Sequence, residues 1–360
     1  MALFGIGKTK AYLGIDIGAA GVKLVEFHEE RGHPKLHTYA FTERTPSEMP
    51  TNLLDDPSSV GQTIKAMVKK AKAQSTKAIT GLPISSVFSS VLSVPRLSEK
   101  EQRGAIEVQA RKLISIPLEE LILDTKIITP AEQLKLTGVA ALKTIQVLLT
   151  AAPKALVAKY LAVFRAAGLE LVSLETEAFA LIRSLVGRDK STLILIDIGC
   201  LRTSVLVVVG GIPYLSRSID VGGLKLTKAA AAALGVPDDQ AEAMKADFSA
   251  TGALAPNTVP PVFEPLLNQI VTEINFSLKL FSGLDSTSGV AAKTVEKIIL
   301  TGGGSLLPNL DSYMAQKLNL RVFRGDPWAR LLYPDDLRPL LDEIGPRFSV
   351  AAGLAMREFE

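Results

Sequence analysis

The amino-acid sequence predicts an α/β protein made of two related halves, and three observations support this prediction. Residues 13–18 and 195–199 both read as an apolar strand that ends in Asp-x-Gly, and a second apolar run follows each of them. Strand patterns alternate with helix patterns along the chain, which is typical of layered α/β folds. The 360 residues, 47% of them hydrophobic, suffice for roughly two domains with their own cores.

Composition excludes several classes of protein. The formal net charge of +3 is too small for a dedicated nucleic-acid binder, so no nucleic-acid partner is expected. Cys200 is the one cysteine, which rules out an internal disulfide and favours a reducing, cytoplasmic location. Residues 1–10 lack the apolar core of a secretory signal, and no run of about 18 uncharged apolar residues exists to span a membrane.

The first half begins with three predicted strands within residues 11–41, followed by a helix over 60–74 and a strand over 77–80 that ends at Gly81. His28, His33 and His37 fall on the polar hairpin of this region. Strand alternation is expected to place His28 on a different face from the other two, so we interpret them as surface side chains and not as a metal site.

Residues 83–150 have a different pattern of predicted elements, with strands over 87–94, 121–129 and 144–150 and one helix over 98–114. Ser98 followed by Glu101 predicts a capping box at the start of that helix. We interpret this region as an inserted subdomain. The chain then returns to the first half with a helix over 153–167, a strand over 169–174 and a helix over 177–185.

The second half repeats the opening hairpin from residue 192 to 214 and reaches an alanine-rich helix over 224–234. A second insertion runs to about residue 291 and ends in a long amphipathic helix over 262–280. A buried strand over 297–300 leads into the turn 301–305, and helices are predicted over 307–318 and 348–357.

The repeated Asp-x-Gly turns predict a nucleotide clamp. If the two hairpins face each other, their glycines let backbone N–H groups approach phosphates closely. Asp16 and Asp197 then supply carboxylate oxygens for a hydrated divalent cation. A single Asp-x-Gly turn is more often an ordinary turn. Two such turns, each placed between two apolar strands, favour a shared binding site.

With the turn 302–305 and the helix containing residues 351–355, these motifs resemble the actin-like ATPase superfamily over essentially the whole chain, which implies a duplicated, ribonuclease H-like two-domain fold. Within that superfamily the chain is most similar to the branch that contains the PilM proteins of type IV pilus assembly and the cell-division protein FtsA. The similarity is carried by residues 12–18 and 22–26, 81–83, 94–98 and 175–181.

The resemblance implies four subdomains. Residues 1–81 and 151–187 would form subdomain 1A, and residues 82–150 would form the inserted FtsA-type subdomain 1C. Residues 188–222 and 292–360 would form subdomain 2A, and residues 223–291 would form subdomain 2B.

The resemblance also assigns roles to individual residues. Asp16 and Asp197 would hold Mg²⁺, and Glu177 would polarise an attacking water. The remaining positions would bind ATP: Gly18, Ala19, Ala20, Gly21, Lys23, Gly199, Cys200, Leu201, Arg202 and Thr203 at the phosphates, Gly222, Gly223, Glu242 and Lys245 at the ribose and base, and Gly302, Gly303, Gly304 and Ser305 over the adenosine.

Two departures from the superfamily pattern favour binding over fast turnover. The second loop carries Cys200-Leu201-Arg202 in place of small and hydroxylated residues, so fewer glycines can wrap a phosphate. Ala178 stands after Glu177, where stronger hydrolases often carry proline. At most a slow ATPase activity is expected.

The function that the resemblance implies is that of a cytoplasmic, actin-like, ATP-binding scaffold of the type IV pilus or a related secretion platform. Its partner would be the N-terminal cytoplasmic peptide of a PilN-like inner-membrane protein, so membrane association would be indirect. Two alternatives stay open: a small-molecule kinase of the same fold, and an FtsA-like filament former that associates with itself.

Overall fold

The computed structural model describes residues 11–129, 143–246, 257–288 and 294–359. Its strands in chain order are β1 (Ala11–Gly18), β2 (Gly21–Glu30), β3 (His33–Phe41), β4 (Lys77–Leu82), β5 (Phe88–Pro95), β6 (Leu121–Ile127), β7 (Thr144–Pro153), β8 (Glu170–Thr176), β9 (Thr192–Ile198), β10 (Thr203–Val209), β11 (Ile212–Ile219), β12 (Lys297–Thr301) and β13 (Arg321–Arg324). Its helices are α1 (Pro57–Lys70), α2 (Glu99–Leu113), α3 (Lys154–Ala167), α4 (Glu177–Leu185), α5 (Gly223–Leu234), α6 (Asp238–Ala246), α7 (Glu264–Ser288), α8 (Leu310–Leu318) and α9 (Arg338–Ala355).

The first sheet has the strand order β3-β2-β1-β4-β8, with β1 antiparallel to β2 and parallel to β4. Because β1 is central, Leu13 and Ile15 are fully buried. Helices α1 and α3 cover one face, with Ile64 and Phe164 in the core, and α4 and α9 lie on the other face. Helix α1 begins earlier than predicted because the Asp56 side chain accepts a hydrogen bond from the Ser59 N–H and caps it.

The second sheet repeats this arrangement. Its order is β11-β10-β9-β12-β13, and the central strand β9 is antiparallel to β10 and parallel to β12. Ile194, Ile196 and Ile198 project from β9 into a core that includes Phe263 and Ile270. Strand β13 is absent from the sequence-based prediction because two of its four residues are arginines and three of the four are exposed.

A third, smaller sheet of order β5-β7-β6 is formed by strands between residues 88 and 153 and packs against α2. Val94, Ile106 and Val147 are among the residues of its core. The predicted capping box is present, since the Ser98 N–H donates to the Glu101 carboxylate at 3.3 Å. The far end of this region, residues 130–142, lies outside the described residues.

Helix α9 follows the second sheet in the chain but packs against the first. It begins at Arg338, well before the predicted residue 348, and it continues through Pro346. The approach is close at two glycines. A Cβ atom at Gly14 would lie 2.0 Å from the Ala351 carbonyl oxygen, and one at Gly353 would lie 1.9 Å from that of Ala180. Glycine at these two positions therefore sets the distance between α9 and the first half.

Within the described ranges, each helix is either too short or too polar to cross a lipid bilayer.

Candidate nucleotide site

Three carboxylates meet where the two halves face each other. Asp16 lies at the end of β1, Asp197 at the end of β9, and Glu177 opens α4 directly after β8. Burial, followed by the charge of Asp16, raises the pKa of Asp197 to about 6. Burial and the charges of Asp16 and Asp197 raise the pKa of Glu177 to about 8. The charge of Asp16 therefore acts on both Asp197 and Glu177.

Lys23 offsets part of this negative charge. The β1–β2 register places it directly opposite Asp16, and its Nζ lies 3.3 Å from Oδ2 of that residue. Lys23 also lowers the pKa values of Asp197 and Glu177, so its positive charge is shared by all three carboxylates. In the part of the chain that the structure describes, one lysine lowers the pKa of both buried carboxylates beside Asp16, which leaves the site electrostatically suited to a further cation.

Glu177 is positioned by backbone. Its Oε2 accepts a hydrogen bond from the Ile84 N–H at 3.2 Å, and its Cγ would lie 3.3 Å from a Cβ atom at Gly81. The contacts come from the end of β4 and from the segment just after it, which were predicted only as a strand-to-loop turn. This segment therefore helps to fix the direction of the Glu177 carboxylate.

The first loop, residues 18–21, turns tightly between β1 and β2. Gly21 has φ +130°, and a Cβ atom there would lie 2.1 Å from the Thr42 carbonyl oxygen. The Arg44 guanidinium donates to the Ala19 carbonyl at 3.0 Å, and the Arg44 N–H donates to the Ala20 carbonyl at 3.1 Å. Arg44 was missed from the sequence because it lies past the end of β3, far from any motif.

The second loop, residues 199–203, is held by the start of α5. The Gly199 carbonyl accepts from the Gly223 N–H, and the Cys200 carbonyl accepts from the Leu224 N–H, both at 2.9 Å. A Cβ atom at Gly222 would lie 2.5 Å from the Cys200 carbonyl oxygen, so this contact requires glycine. The predicted residues Gly222 and Gly223 are thus brought against the loop.

Two side chains of the second loop are directed elsewhere. The Thr203 hydroxyl is buried and donates to the Val221 carbonyl at 2.7 Å. The Arg202 Nε lies 3.0 Å from Asp220 in a largely exposed ion pair. Leu201, which precedes Arg202, is half-buried. Any phosphate contact from Thr203 in this conformation would have to come from its backbone.

Glu242 and Lys245, predicted at the ribose and base, lie together beside the second loop. Lys245 Nζ is 2.8 Å from Glu242 Oε1 and 3.0 Å from the Thr227 hydroxyl. Burial raises the pKa of the Cys200 thiol, with Glu242 raising it further and Lys245, Lys23 and Arg44 lowering it. Charged groups from both halves therefore surround the second loop.

The glycine turn after β12 packs directly against Asp197. Gly302 has φ +81°, and a Cβ atom there would lie 2.3 Å from Asp197 Oδ1. Gly304 is equally restricted, since its Cβ atom would lie 2.3 Å from Ile198 Cγ2. The Ser305 hydroxyl is buried and donates to the Gly302 carbonyl at 2.7 Å, while Gly303 lies beside the Arg347 side chain.

Tyr160 adds a buried hydroxyl that the sequence did not single out. Its side chain on α3 is fully buried, and within the described residues its hydroxyl has no hydrogen-bond partner. Burial raises its pKa well above the usual value, and the charges of Glu177 and Asp16 raise it further. The hydroxyl therefore lies near the carboxylates and is available to a ligand or water there.

Comparison with known proteins gives concordant results. The model of the type IV pilus assembly protein PilM family matches residues 14–359. A solved structure entitled "PilM-PilN type IV pilus biogenesis complex" superposes with a TM-score of 0.80 at 27% identity, over 97% of this chain and 98% of that one. The ethanolamine utilization protein EutJ from Carboxydothermus hydrogenoformans superposes with a TM-score of 0.51 at 16% identity, over 96% and 89% of the two chains.

The repeated sheets and these likenesses confirm the predicted actin-like fold. Because the family model covers nearly the whole chain, the protein belongs to the family of the type IV pilus assembly protein PilM.

Proposed function

We propose that this protein is a cytoplasmic ATP-binding scaffold of the type IV pilus inner-membrane platform, and that it binds the N-terminal cytoplasmic tail of a PilN-like membrane protein. The observation that carries the nucleotide part is the meeting of Asp16, Asp197 and Glu177 between two glycine loops. The partner part rests on family membership and on the relative whose structure is entitled a PilM-PilN complex.

The donor set fits Mg²⁺. Asp16 and Asp197 present hard carboxylate oxygens, which Mg²⁺ prefers, and their mutual repulsion would be relieved by a cation between them. When bound, Mg²⁺ would neutralise phosphate charge. The chain's own contribution would be to bring the glycine loops of residues 18–21 and 199–203 close to the phosphates and to keep Lys23 beside them.

The raised pKa of Glu177 favours nucleotide binding over rapid hydrolysis. A carboxyl group with a pKa of about 8 mostly holds its proton at neutral pH, so it cannot readily accept one from water. Its role in the nucleotide-free protein is then that of a hydrogen-bonding group fixed by the Ile84 N–H. Turnover would stay slow unless the bound ligand lowers the pKa of Glu177.

The four subdomains predicted from the resemblance organise this proposal. The third sheet would belong to subdomain 1C, and exposed apolar side chains surround it on and after α2, among them Val108, Leu113 and Ile116. Apolar side chains in such number suit a peptide that buries its own apolar residues. Contact with a membrane-anchored tail would make the membrane association peripheral.

Nucleotide binding is tested by thermal unfolding. Adding ATP and Mg²⁺ should raise the melting temperature by several degrees, because a ligand that binds only the folded state stabilises it. Asp16→Ala together with Asp197→Ala should abolish the rise, and the exposed-site control Asp336→Ala should keep it. A rise that survives loss of both aspartates would contradict the proposed site.

Partner binding is tested with a fluorescent peptide that carries the N-terminal tail of the PilN-like protein. We expect saturable binding that weakens strongly in Leu113→Glu with Ile116→Glu, since charge would oppose apolar burial. The control Leu340→Glu changes an exposed leucine outside this surface and should bind normally. Equal affinity in all three proteins would place the tail elsewhere.

A further inference from the structure

A second side-chain cluster lies toward the other end of β2 from Lys23. The imidazole rings of His28 and His37 are stacked, with centroids 4.1 Å apart and planes 9° from parallel. The expectation that strand alternation separates these histidines is wrong. A β-bulge between Glu26 and Phe27 shifts the β2–β3 register and brings His37 beside His28.

Glu26 completes the cluster as a fully buried carboxylate. It accepts hydrogen bonds from the Ser75 N–H at 2.8 Å and the Gln74 N–H at 2.9 Å, both before β4. His28 Nε2 lies 2.9 Å from Oε1 of the same carboxylate. Glu26 is thus held rigidly with its negative charge directed at an imidazole.

We propose that Glu26, His28 and His37 bind a divalent transition-metal ion of the Zn²⁺ type. Each residue can offer one ligand atom, and these atoms lie within 4.8 Å of one another. Two imidazoles and a carboxylate suit Zn²⁺ and its first-row neighbours, whereas Mg²⁺ prefers oxygen ligands only.

The surroundings of the cluster favour a metal ion. His37 is exposed and His28 is half-buried, so an ion can enter from solvent and complete its coordination with water. The bound ion would tie the edge strand β3 to β2 and, through Glu26, to residues 74–75.

The test is Zn²⁺ binding to the full chain by competition with a chromophoric chelator, in excess Mg²⁺ so that the carboxylates of the nucleotide cleft do not compete. We expect a single equivalent of bound Zn²⁺ and a higher melting temperature. His37→Gln should weaken Zn²⁺ binding by at least about 10-fold, the lower bound for loss of even an outer-shell partner. Because His37 is exposed, this variant should fold normally without metal.

His33→Gln provides the matched control, because it removes an exposed histidine of the same hairpin that is not part of the cluster. It should bind Zn²⁺ as the unmodified protein does. His28→Gln is a second variant that should weaken Zn²⁺ binding. The absorption spectrum of bound Co²⁺ then reports directly on ligation by imidazole. Absence of Zn²⁺ binding, or equal binding by the His33, His28 and His37 variants, would overturn the proposal.

Discussion

The two halves have the same arrangement of strands, but their corresponding glycine turns contact different carboxylates. In each half the central strand runs parallel to a strand that has Thr-Gly near its carboxyl end, Thr80-Gly81 in the first and Thr301-Gly302 in the second. Gly81 lies against Glu177, whereas Gly302 lies against Asp197. The strand arrangement is therefore the same in both halves, whereas the carboxylate beside the glycine turn differs.

The halves also differ in charge. The first half pairs Asp16 with Lys23 and adds Arg44 at its loop. Among the residues that the structure describes, Asp197 has no ion-pair partner, and the second loop is held by backbone hydrogen bonds to α5 instead. Lys23 of the first half thus pairs with its aspartate, whereas Lys245 of the second half pairs with Glu242 and not with Asp197.

The largest effect is expected on stability, and it distinguishes Gly302 from Gly81. Gly302→Ala should lower the free energy of unfolding by roughly 2–5 kcal/mol, because a strained positive φ is combined with overlap onto Asp197. Gly81→Ala should change it by less than about 1 kcal/mol, since its φ is not positive and the nearest atom, Glu177 Cγ, would lie 3.3 Å away, a contact that a small shift relieves. Urea unfolding measures both, and equal costs would remove the distinction between the turns.

The next effect concerns the pH dependence of the nucleotide-free protein. The folded-state pKa of Glu177 is about 8, above its ordinary 4.5, so the folded state binds more protons than the unfolded state over this range. Stability should therefore fall as pH rises from about 4.5 to about 8. Glu177→Gln should flatten this slope and be more stable at pH 8 by on the order of 2–4 kcal/mol. Parallel slopes in the two proteins would show that Glu177 is not the group responsible.

A smaller effect tests the cation of the first half. Lys23→Met leaves Asp16 buried without its partner and should cost about 1–3 kcal/mol, less than a fully buried pair because both side chains keep some solvent contact. The control Lys35→Met breaks an exposed pair with Glu30 and should cost clearly less, because solvent screens an exposed ion pair. Denaturant unfolding at neutral pH distinguishes them. Similar costs would mean that Lys23 contributes no more than a surface lysine.

The smallest effect is expected at Arg202 in the second loop. Its ion pair with Asp220 is largely exposed, so Arg202→Ala should change stability by less than about 0.5 kcal/mol. The loss of ATP-induced thermal stabilisation should also be smaller than in Lys23→Met. A loss as large as that of the Lys23 variant would show that both loops supply a cation to the nucleotide.

The order of strands, turns and helices could be predicted from the sequence because neighbouring residues determine it. Apolar runs, Asp-x-Gly turns and the Ser98–Glu101 pattern each predict an element from neighbouring residues, and the structure contains them. What could not be predicted depends on contacts between distant segments. Arg44 and Tyr160 reach the site from a loop and a helix without any motif, and the bulge beside Glu26 changes which residues share a face.

Helix α9 also bears on how the chain folds. The surface of the first sheet that includes Gly14 is covered by a segment that is synthesised only after the entire second half. Contacts between such widely separated residues slow folding, because a long loop must close before they form. During translation the first half would therefore expose an apolar sheet face for an extended time, which makes it a natural target for chaperones.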